Sequence, residues 1–383
     1  MQQVCQVAIC AKIGVLDGDS GYAGLLKRVA AKKTGRNRAH ACLPQNETAY
    51  LFANSEIIGQ VTGSGYHARI NSNWEEAMLI ARRFFIAGMA MAIAAPTSAF
   101  AQPLGEVETR ANVEYGRHDG EALLGDAYMP KAPGKYPVVI AVHGGGWQGG
   151  SKASYRFWGP WLAQRGYVVF SIDYRLVKPG KKMFPESVHD VRAGVQFVRS
   201  RAAELKADPD RIALIGDSAG GHLVSLVGLM GDSPALPKAY GDDPYASVST
   251  AVKAVIGVYG VYDMTQQWNH DVLNRPNDNI AEKYLGAPPA QDRKLYFDGS
   301  PMSYAVKSAS GVSFLLANGT EDDVVDRAQT DAFFLSLKQA GNYVRRFVMQ
   351  GAGHYWLSDP IEEPGSVSGF FAPRLLRFLG ERL

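Results

Sequence analysis

From position 102 onward the chain alternates short apolar runs with stretches whose apolar residues recur at helical spacing. Val107–Tyr115 and Ala122–Met129 read as strands joined by a polar turn. Pro137–Val142 is continuously apolar, the pattern of a strand covered on both faces. A helix is predicted over Ser154–Arg165, a strand over Tyr167–Ile172 and a helix over Ser187–Glu204. The apolar run Arg211–Ile215 leads into a helix at His222–Met230. Strands Val252–Tyr259 and Val312–Ala317, helix Asp326–Ala340, strand Tyr343–Met349 and a helix from about Gly369 follow. Alternation of this kind predicts an α/β fold, one domain over 102–383 with a mostly parallel central sheet and helices on both faces. Only 263–300 lacks a clear period. It is rich in Asn, Asp and Pro, and so long an excursion near the strand ends is a candidate lid.

Upstream the pattern changes. Residues 1–77 hold short apolar runs without a sustained period and are predicted to be an extension without a fold. Residues 78–101 run from Met78-Leu79-Ile80-Ala81 into Arg82-Arg83-Phe84-Phe85-Ile86, continue through an Ala- and Gly-rich apolar stretch, and end in Ala99-Phe100-Ala101. A basic start, an apolar middle and an A-x-A site are the parts of an export signal, here similar to the twin-arginine type. The apolar run is too short to span a bilayer and is stopped by Pro96. The expectation is an exported chain, periplasmic or secreted, that begins at Gln102 and keeps no membrane segment.

Composition narrows the function. The 383 residues are 46% hydrophobic and 20% charged, with a net charge of +3. Of the 40 basic and 37 acidic residues, 10 and 6 lie in 1–101, so the body carries 30 against 31. Such a balance excludes a nucleic-acid footprint. Cys5, Cys10 and Cys42 all precede the body, which therefore has no disulfide of its own, and their spacing matches no metal or redox motif.

The chemistry centres on Gly216-Asp217-Ser218-Ala219-Gly220-Gly221, between an apolar strand and a helix. Strand, G-x-S-x-G and helix make a nucleophile elbow, a turn so tight that small residues must flank the serine. Strain there holds the Ser218 hydroxyl above the sheet, and the N–H of Ala219 points at the same space. His143-Gly144-Gly145-Gly146-Trp147 follows the first buried strand. Gly144, Gly146 and Gly149 also satisfy the dinucleotide fingerprint, and Asp173 ends the next strand where a ribose-binding carboxylate would sit. A dinucleotide helix, however, begins within the fingerprint, whereas bulky Trp147 and further Gly, Ser and Lys intervene here. An oxyanion loop fits better: side-chain-free Gly145 and Gly146 let backbone N–H groups approach a developing negative charge. His143 then serves to hydrogen-bond the loop.

A serine nucleophile on such a sheet needs a base beyond the last strand, with a carboxylate before it in chain order. Of eight histidines, His354 in Gly351-Ala352-Gly353-His354 fits. His222 falls inside the elbow helix, where it is expected to pack or cap. The strand before His354 ends in Gly319-Thr320-Glu321-Asp322-Asp323, and Asp322 is the preferred acid, with Glu321 and Asp323 as alternatives. Trp147, Tyr262, Trp268 and Trp356 are candidate pocket walls.

Together, His143–Trp147, Asp173-Tyr174-Arg175-Leu176, Phe184-Pro185 with Asp190, Gly216–Gly221, Asp322 and Gly353-His354 resemble the alpha/beta hydrolases. The nearest likeness is to bacterial carboxylesterases of the hormone-sensitive-lipase and feruloyl-esterase-like groups, over Gln102–Leu383. The resemblance implies Ser218 as nucleophile, His354 as base, Asp322 as orienting acid, and Gly145, Gly146 and Ala219 as oxyanion donors. It implies no cofactor and no metal, a small or polymer-linked ester as substrate, and amide or formamide hydrolysis as the alternative. Two features depart from the lipase-like pattern. Asp322-Asp-Val-Val-Asp326 lacks the Pro and Leu of Asp-Pro-Leu-x-Asp, and no helical cap precedes the glycine loop, which leaves 263–300 as the cap.

Overall fold

The structure, a computed structural model, describes residues 48–53, 56–62, 105–233, 243–305 and 311–383. The chain divides into two compact units, Met1–Ala99 and Phe100–Leu383. In the first, β1 (Thr48–Ala53) and β2 (Glu56–Thr62) pair antiparallel. This pair lies within 1–77, the expected extension without a fold, the rest of which lies outside the described residues. Strands of six and seven residues are too short for a period to accumulate in the sequence. The expected export segment, 78–101, lies outside the described residues.

The second unit is built on an eight-stranded sheet of order β10-β9-β8-β7-β5-β6-β4-β3. The strands are β3 (Val107–His118), β4 (Glu121–Pro130), β5 (Tyr136–Val142), β6 (Val168–Ile172), β7 (Ala207–Asp217), β8 (Ala254–Val258), β9 (Ser313–Gly319) and β10 (Val344–Met349). β3 and β4 are antiparallel to their neighbours; every pair from β6 to β10 is parallel. Continuous apolar runs were the signature of strands covered twice, and β6 and β8 are buried at every residue. Alternate side chains of β5 feed opposite layers. Val138, Ile140 and Val142 pack with α2 (Glu186–Ser200) and α3 (Ala219–Met230), while Val139 and Ala141 pack with α1 (Trp158–Ala163) and α8 (Val367–Arg382). Helix α3 is apolar apart from His222 and Ser225, and correspondingly has no exposed face.

Two expectations change in detail. The helix predicted over Ser154–Arg165 is broken into a 3₁₀ turn, Lys152–Tyr155, and α1. Pro160 falls in the first turn of α1, where its missing N–H costs nothing. The excursion is not irregular: it forms α4 (Met264–Asn274), α5 (Ile280–Leu285) and α6 (Arg293–Asp298). The Asp and Asn residues that disguised it are the N-caps, since Asp263, Asn279 and Asp292 accept from the N–H groups of Gln266, Glu282 and Leu295. Ile280, Ala281, Tyr284 and Leu285 are buried in the main core, so this part of the expected lid is packed interior.

A buried ion pair fixes the chain after β6 to α2. Arg175 donates through Nε and Nη2 to Asp190 at 3.0 and 2.8 Å, and its backbone N–H adds a bond of 2.9 Å. Burial pushes the Asp190 carboxyl up to about 6 even beside this guanidinium. Removing Asp190 takes the Nε and Nη2 partner from a buried guanidinium and leaves it the exposed carboxylate of Asp119, 2.9 Å from Nη1. Asp190→Ala is therefore expected to cost about 3–5 kcal/mol of folding stability, measured by urea unfolding; a loss below about 1 kcal/mol would show that the pair contributes little.

Candidate active site

The site lies at the carboxyl ends of β5, β7, β8, β9 and β10. Ser218 joins β7 to α3 with φ 52° and ψ −120°, a conformation that an L residue holds only under constraint. Space explains its neighbours. A Cβ on Gly216 would stand 2.3 Å from the Gly220 carbonyl oxygen, and one on Gly220 would stand 2.0 Å from that of Val142. The Ser218 N–H donates to Val258 O at 2.9 Å, which ties the strained residue to β8.

His354 Nε2 stands 2.9 Å from Ser218 Oγ, and His354 Nδ1 stands 2.7 Å from Asp322 Oδ2. The imidazole and carboxylate side chains are both 1% exposed. The second oxygen, Asp322 Oδ1, accepts from the N–H groups of Val324 and Val325 at 3.0 and 2.9 Å. Among the three adjacent acids, Asp322 alone faces the imidazole, and Glu321 and Asp323 are exposed. Parallel pairing makes this meeting natural, because β9 and β10 end level, with Gly319 opposite Met349. The two loops are then stitched together. Thr320 N–H donates to Met349 O, Glu321 N–H to Ala352 O, and Gly351 N–H to Thr320 Oγ1. A Cβ on Gly319 would stand 2.0 Å from Ala352 O, so only glycine allows the crossing.

The glycine loop runs beside the serine. A Cβ on Gly144 would meet Asp217 Oδ2 at 2.6 Å and Ser218 Cβ at 3.0 Å. Gly145 and Gly146 have φ of 114° and 59°, conformations that favour glycine. Among the described residues, no group of the protein accepts the N–H of Gly145, Gly146 or Ala219. The loop comes against Ser218 at Gly144, and Ala219 follows Ser218 in the chain. His143 lies under the loop as expected: it is buried, stacked on Tyr174 at 4.4 Å, and its Nδ1 is 2.7 Å from Gly144 O. Burial lowers the proton affinity of its imidazole. His222 is likewise structural. Trp147 Nε1–H donates to its Nδ1 at 3.2 Å, which places the proton on Nε2, donated to Gly299 O at 2.7 Å. Burial pushes His222 down to about 4, so it stays neutral.

The dinucleotide alternative finds no matching arrangement. No helix begins within the glycine loop, and Asp173 is engaged by the backbone N–H of Lys152 at 2.7 Å and its ammonium at 3.3 Å. Among the described residues, no group of three or more His, Cys, Asp or Glu side chains is placed to hold a metal ion.

The aromatic walls need correction. Trp147 has no exposed surface and stacks on Tyr284 of α5 at 4.5 Å. Tyr262 is equally enclosed, stacked on Phe333 at 4.4 Å. Trp356 is buried against Tyr259 and Phe371. All three are core, because rings near a sheet end bury more area inside than at a mouth. Trp268 is half-buried, its Nε1–H donating to Glu282 at 2.8 Å. Sequence reasoning missed three residues that do bear on the site. The Tyr259 ring lies 4.3 Å from the His354 ring; Tyr355 meets it edge-on at 4.6 Å and is 59% exposed; Ile280 packs over Gly146. Only Tyr355, adjacent to His354, left a signal that could have been read.

Residues 125–337 match the BD-FAE family. Esterase LipQ of Mycobacterium tuberculosis is 32% identical over 239 residues, 60% of this chain and 53% of LipQ. Esterase LipC of the same organism is 32% identical over 64% of this chain and 59% of LipC. The chain thus spans little more than half the length of these relatives. Among solved structures, the thermophilic esterase Est2 of Thermogutta terrifontis is 25% identical, with a TM-score of 0.57, over 73% of this chain and 92% of Est2. The family match covers the elbow serine and the acid loop, and the neighbours share the parallel sheet that presents them. This chain belongs to the BD-FAE family, of alpha/beta hydrolase type.

Proposed function

We propose that the protein is an exported serine esterase that hydrolyses carboxylic esters through an acyl-enzyme. The observation that carries the reading is the hydrogen-bonded line Ser218–His354–Asp322, with the glycine loop against Ser218 at Gly144 and no acceptor for the N–H groups of Gly145, Gly146 and Ala219 among the described residues. Ser218 Oγ attacks the ester carbonyl while His354 Nε2 takes its proton. Asp322 Oδ2 accepts from Nδ1–H, which fixes the tautomer and offsets the imidazolium charge. The oxyanion is held by the N–H groups of Gly145, Gly146 and Ala219, donors already oriented before charge develops. His354 then hands its proton to the leaving alcohol, the acyl-enzyme forms, and water deprotonated by His354 releases the acid. The names of the relatives, esterases LipQ and LipC, support an ester over an amide. The basic, apolar and A-x-A parts of 78–101 support export.

Aryl esters of graded acyl length, run beside the matching amides, test the reaction. Ser218→Ala is expected to abolish turnover. Asp322→Asn is expected to keep the fold and lower kcat by about 10⁴, the loss seen when a serine protease is left with the wrong tautomer. Asp323→Asn, an exposed charge, is expected to cost about tenfold or less. Amide turnover exceeding ester turnover, or an active Ser218→Ala protein, would overturn the reading. For export, a truncated chain beginning at Gln102 is expected to be soluble with full kcat; loss of either would show that 1–101 is structural.

Asp217 links the elbow to the glycine loop, accepting from Gly144 N–H at 3.2 Å and Tyr155 O–H at 3.1 Å. Burial is the main cause that pushes its carboxyl from 3.8 up to about 6, partly offset by Tyr155 and His354. A raised carboxyl supports the fold fully below its unfolded value and loses that support as pH climbs through about 6. The buried charge therefore costs stability above pH 6, up to about 3 kcal/mol by the size of the shift. Asp217→Asn keeps an acceptor oxygen without the charge. By scanning calorimetry it is expected to raise Tm by several degrees at pH 8, with the advantage gone near pH 4. A Tm gain that is equal at both pH values would exclude ionisation as the cause.

A further inference from the structure

The cap and the acid loop are joined by a chain of buried amides. Gln329 on α7 (Arg327–Gln339) accepts through Oε1 from the backbone N–H groups of Tyr262 and Asp263, each at 3.0 Å. Its Nε2 donates to Gln267 Oε1 at 2.9 Å. Gln267 on α4 then sends its Nε2 hydrogens to Asp271 Oδ1 at 2.9 Å and Val324 O at 3.1 Å. Asp271 Oδ2 accepts from Ala281 N–H at the start of α5, at 3.2 Å. The orientation of both amides is fixed by their surroundings. Backbone N–H groups at one end demand an oxygen, and a carboxylate and a carbonyl at the other demand an NH₂. Gln267, Gln329 and Asp271 are all wholly buried, so no water can substitute for a lost bond.

We infer that Gln267 is a positioning residue for Asp322. The Val324 carbonyl that receives Gln267 shares its peptide unit with the Val325 N–H, which donates to Asp322 Oδ1 at 2.9 Å, and the N–H of Val324 itself donates to the same oxygen at 3.0 Å. Gln267 thus grips one side of Val324, and Val324 grips the carboxylate from the other. The same network holds α5, which carries Ile280 over Gly146. One buried side chain therefore ties the roof of the glycine loop to the acid behind the base. Nothing in a sequence motif marks Gln267: it is one of two adjacent glutamines in an unpatterned stretch.

The inference rests on the proposed triad, and the test separates the two. The probes are an aryl ester for kinetics and the far-downfield proton NMR signal of the His354 Nδ1–H, which reports its bond to Asp322 directly. In the full chain, Gln267→Met is expected to weaken or broaden that signal and to lower kcat about 10- to 100-fold, with KM within about twofold, as for a misplaced catalytic group. Val198→Ala, a core truncation on α2, controls for lost stability and is expected to keep both the signal and kcat. If Gln267→Met is insoluble, Gln267→Glu is measured instead. It is near-isosteric but brings at most one hydrogen where the amide brings two, and the same changes are expected. An unchanged signal and kcat in the soluble Gln267 variant would overturn the inference, as would equal losses in Val198→Ala. Ser218→Ala is run in parallel: if it turns over ester, the triad itself fails, whereas an inactive Ser218→Ala beside an undisturbed Gln267 variant sinks only the role of Gln267.

Discussion

The close approach of three backbones at the elbow is the constraint from which the rest follows. β7 must turn directly into α3 beneath the glycine loop, and there is no room for a Cβ at Gly144, Gly216 or Gly220. Ser218 takes the cost of that turn as a positive φ. The strain persists because β8 holds its N–H and because α3 is buried along its whole length and cannot tilt away. The outcome is a hydroxyl held at the strand ends, within hydrogen-bond reach of His354 Nε2. Relaxing the turn would displace that hydroxyl.

Buried polar groups supply the second level of order, and each spans two elements. Trp147, His222 and Gly299 run from the glycine loop through α3 to the end of the cap. His143 and Tyr174 lie beneath the loop, with Tyr174 O–H donating to His143 O at 3.0 Å. In a low-dielectric interior a satisfied bond rigidifies and an unsatisfied one is costly, so such bridges select one arrangement of loops over its near alternatives. They also explain why aromatic residues near the site are scaffold. Trp147 lies where a pocket wall was expected, yet its indole is fully committed to His222 and Tyr284.

Legibility in the sequence followed the kind of signal involved. Strands β5 through β9 announced themselves by apolar runs, and Ser218, Asp322 and His354 by their order and by the glycines that close packing demands. What was lost depended on tertiary partners. α4, α5 and α6 looked irregular because short capped helices are dominated by their caps, and Asp263, Asn279 and Asp292 read as loop residues. Tyr259 could not be found because it matters through a ring contact to a residue far along the chain. Trp147, Tyr262 and Trp356 went to the core for a related reason: composition shows that an aromatic is near the strand ends, whereas only packing decides which way it faces.

The base poses a separate problem, because His354 follows β10, a strand paired on one side only. Edge strands are the softest part of a sheet and the most open to unwanted pairing. Here the edge carries exposed Arg345 and Arg346, charges that disfavour pairing with another strand. Rigidity for the base comes from the residues after it. Trp356 and Leu357 drop into the second core layer, where Leu357 O accepts from Trp158 Nε1–H at 2.8 Å and its N–H donates to Tyr259 Oη at 3.1 Å. Trp356 O accepts from Ser368 Oγ–H at 2.7 Å, which adds α8 to the same anchor. The imidazole is thereby fixed from below by the core, from behind by Asp322 and from one side by the Tyr259 ring. Trp356, although it presents no wall to a substrate, is part of what lets a base on an edge loop keep its distance from Ser218.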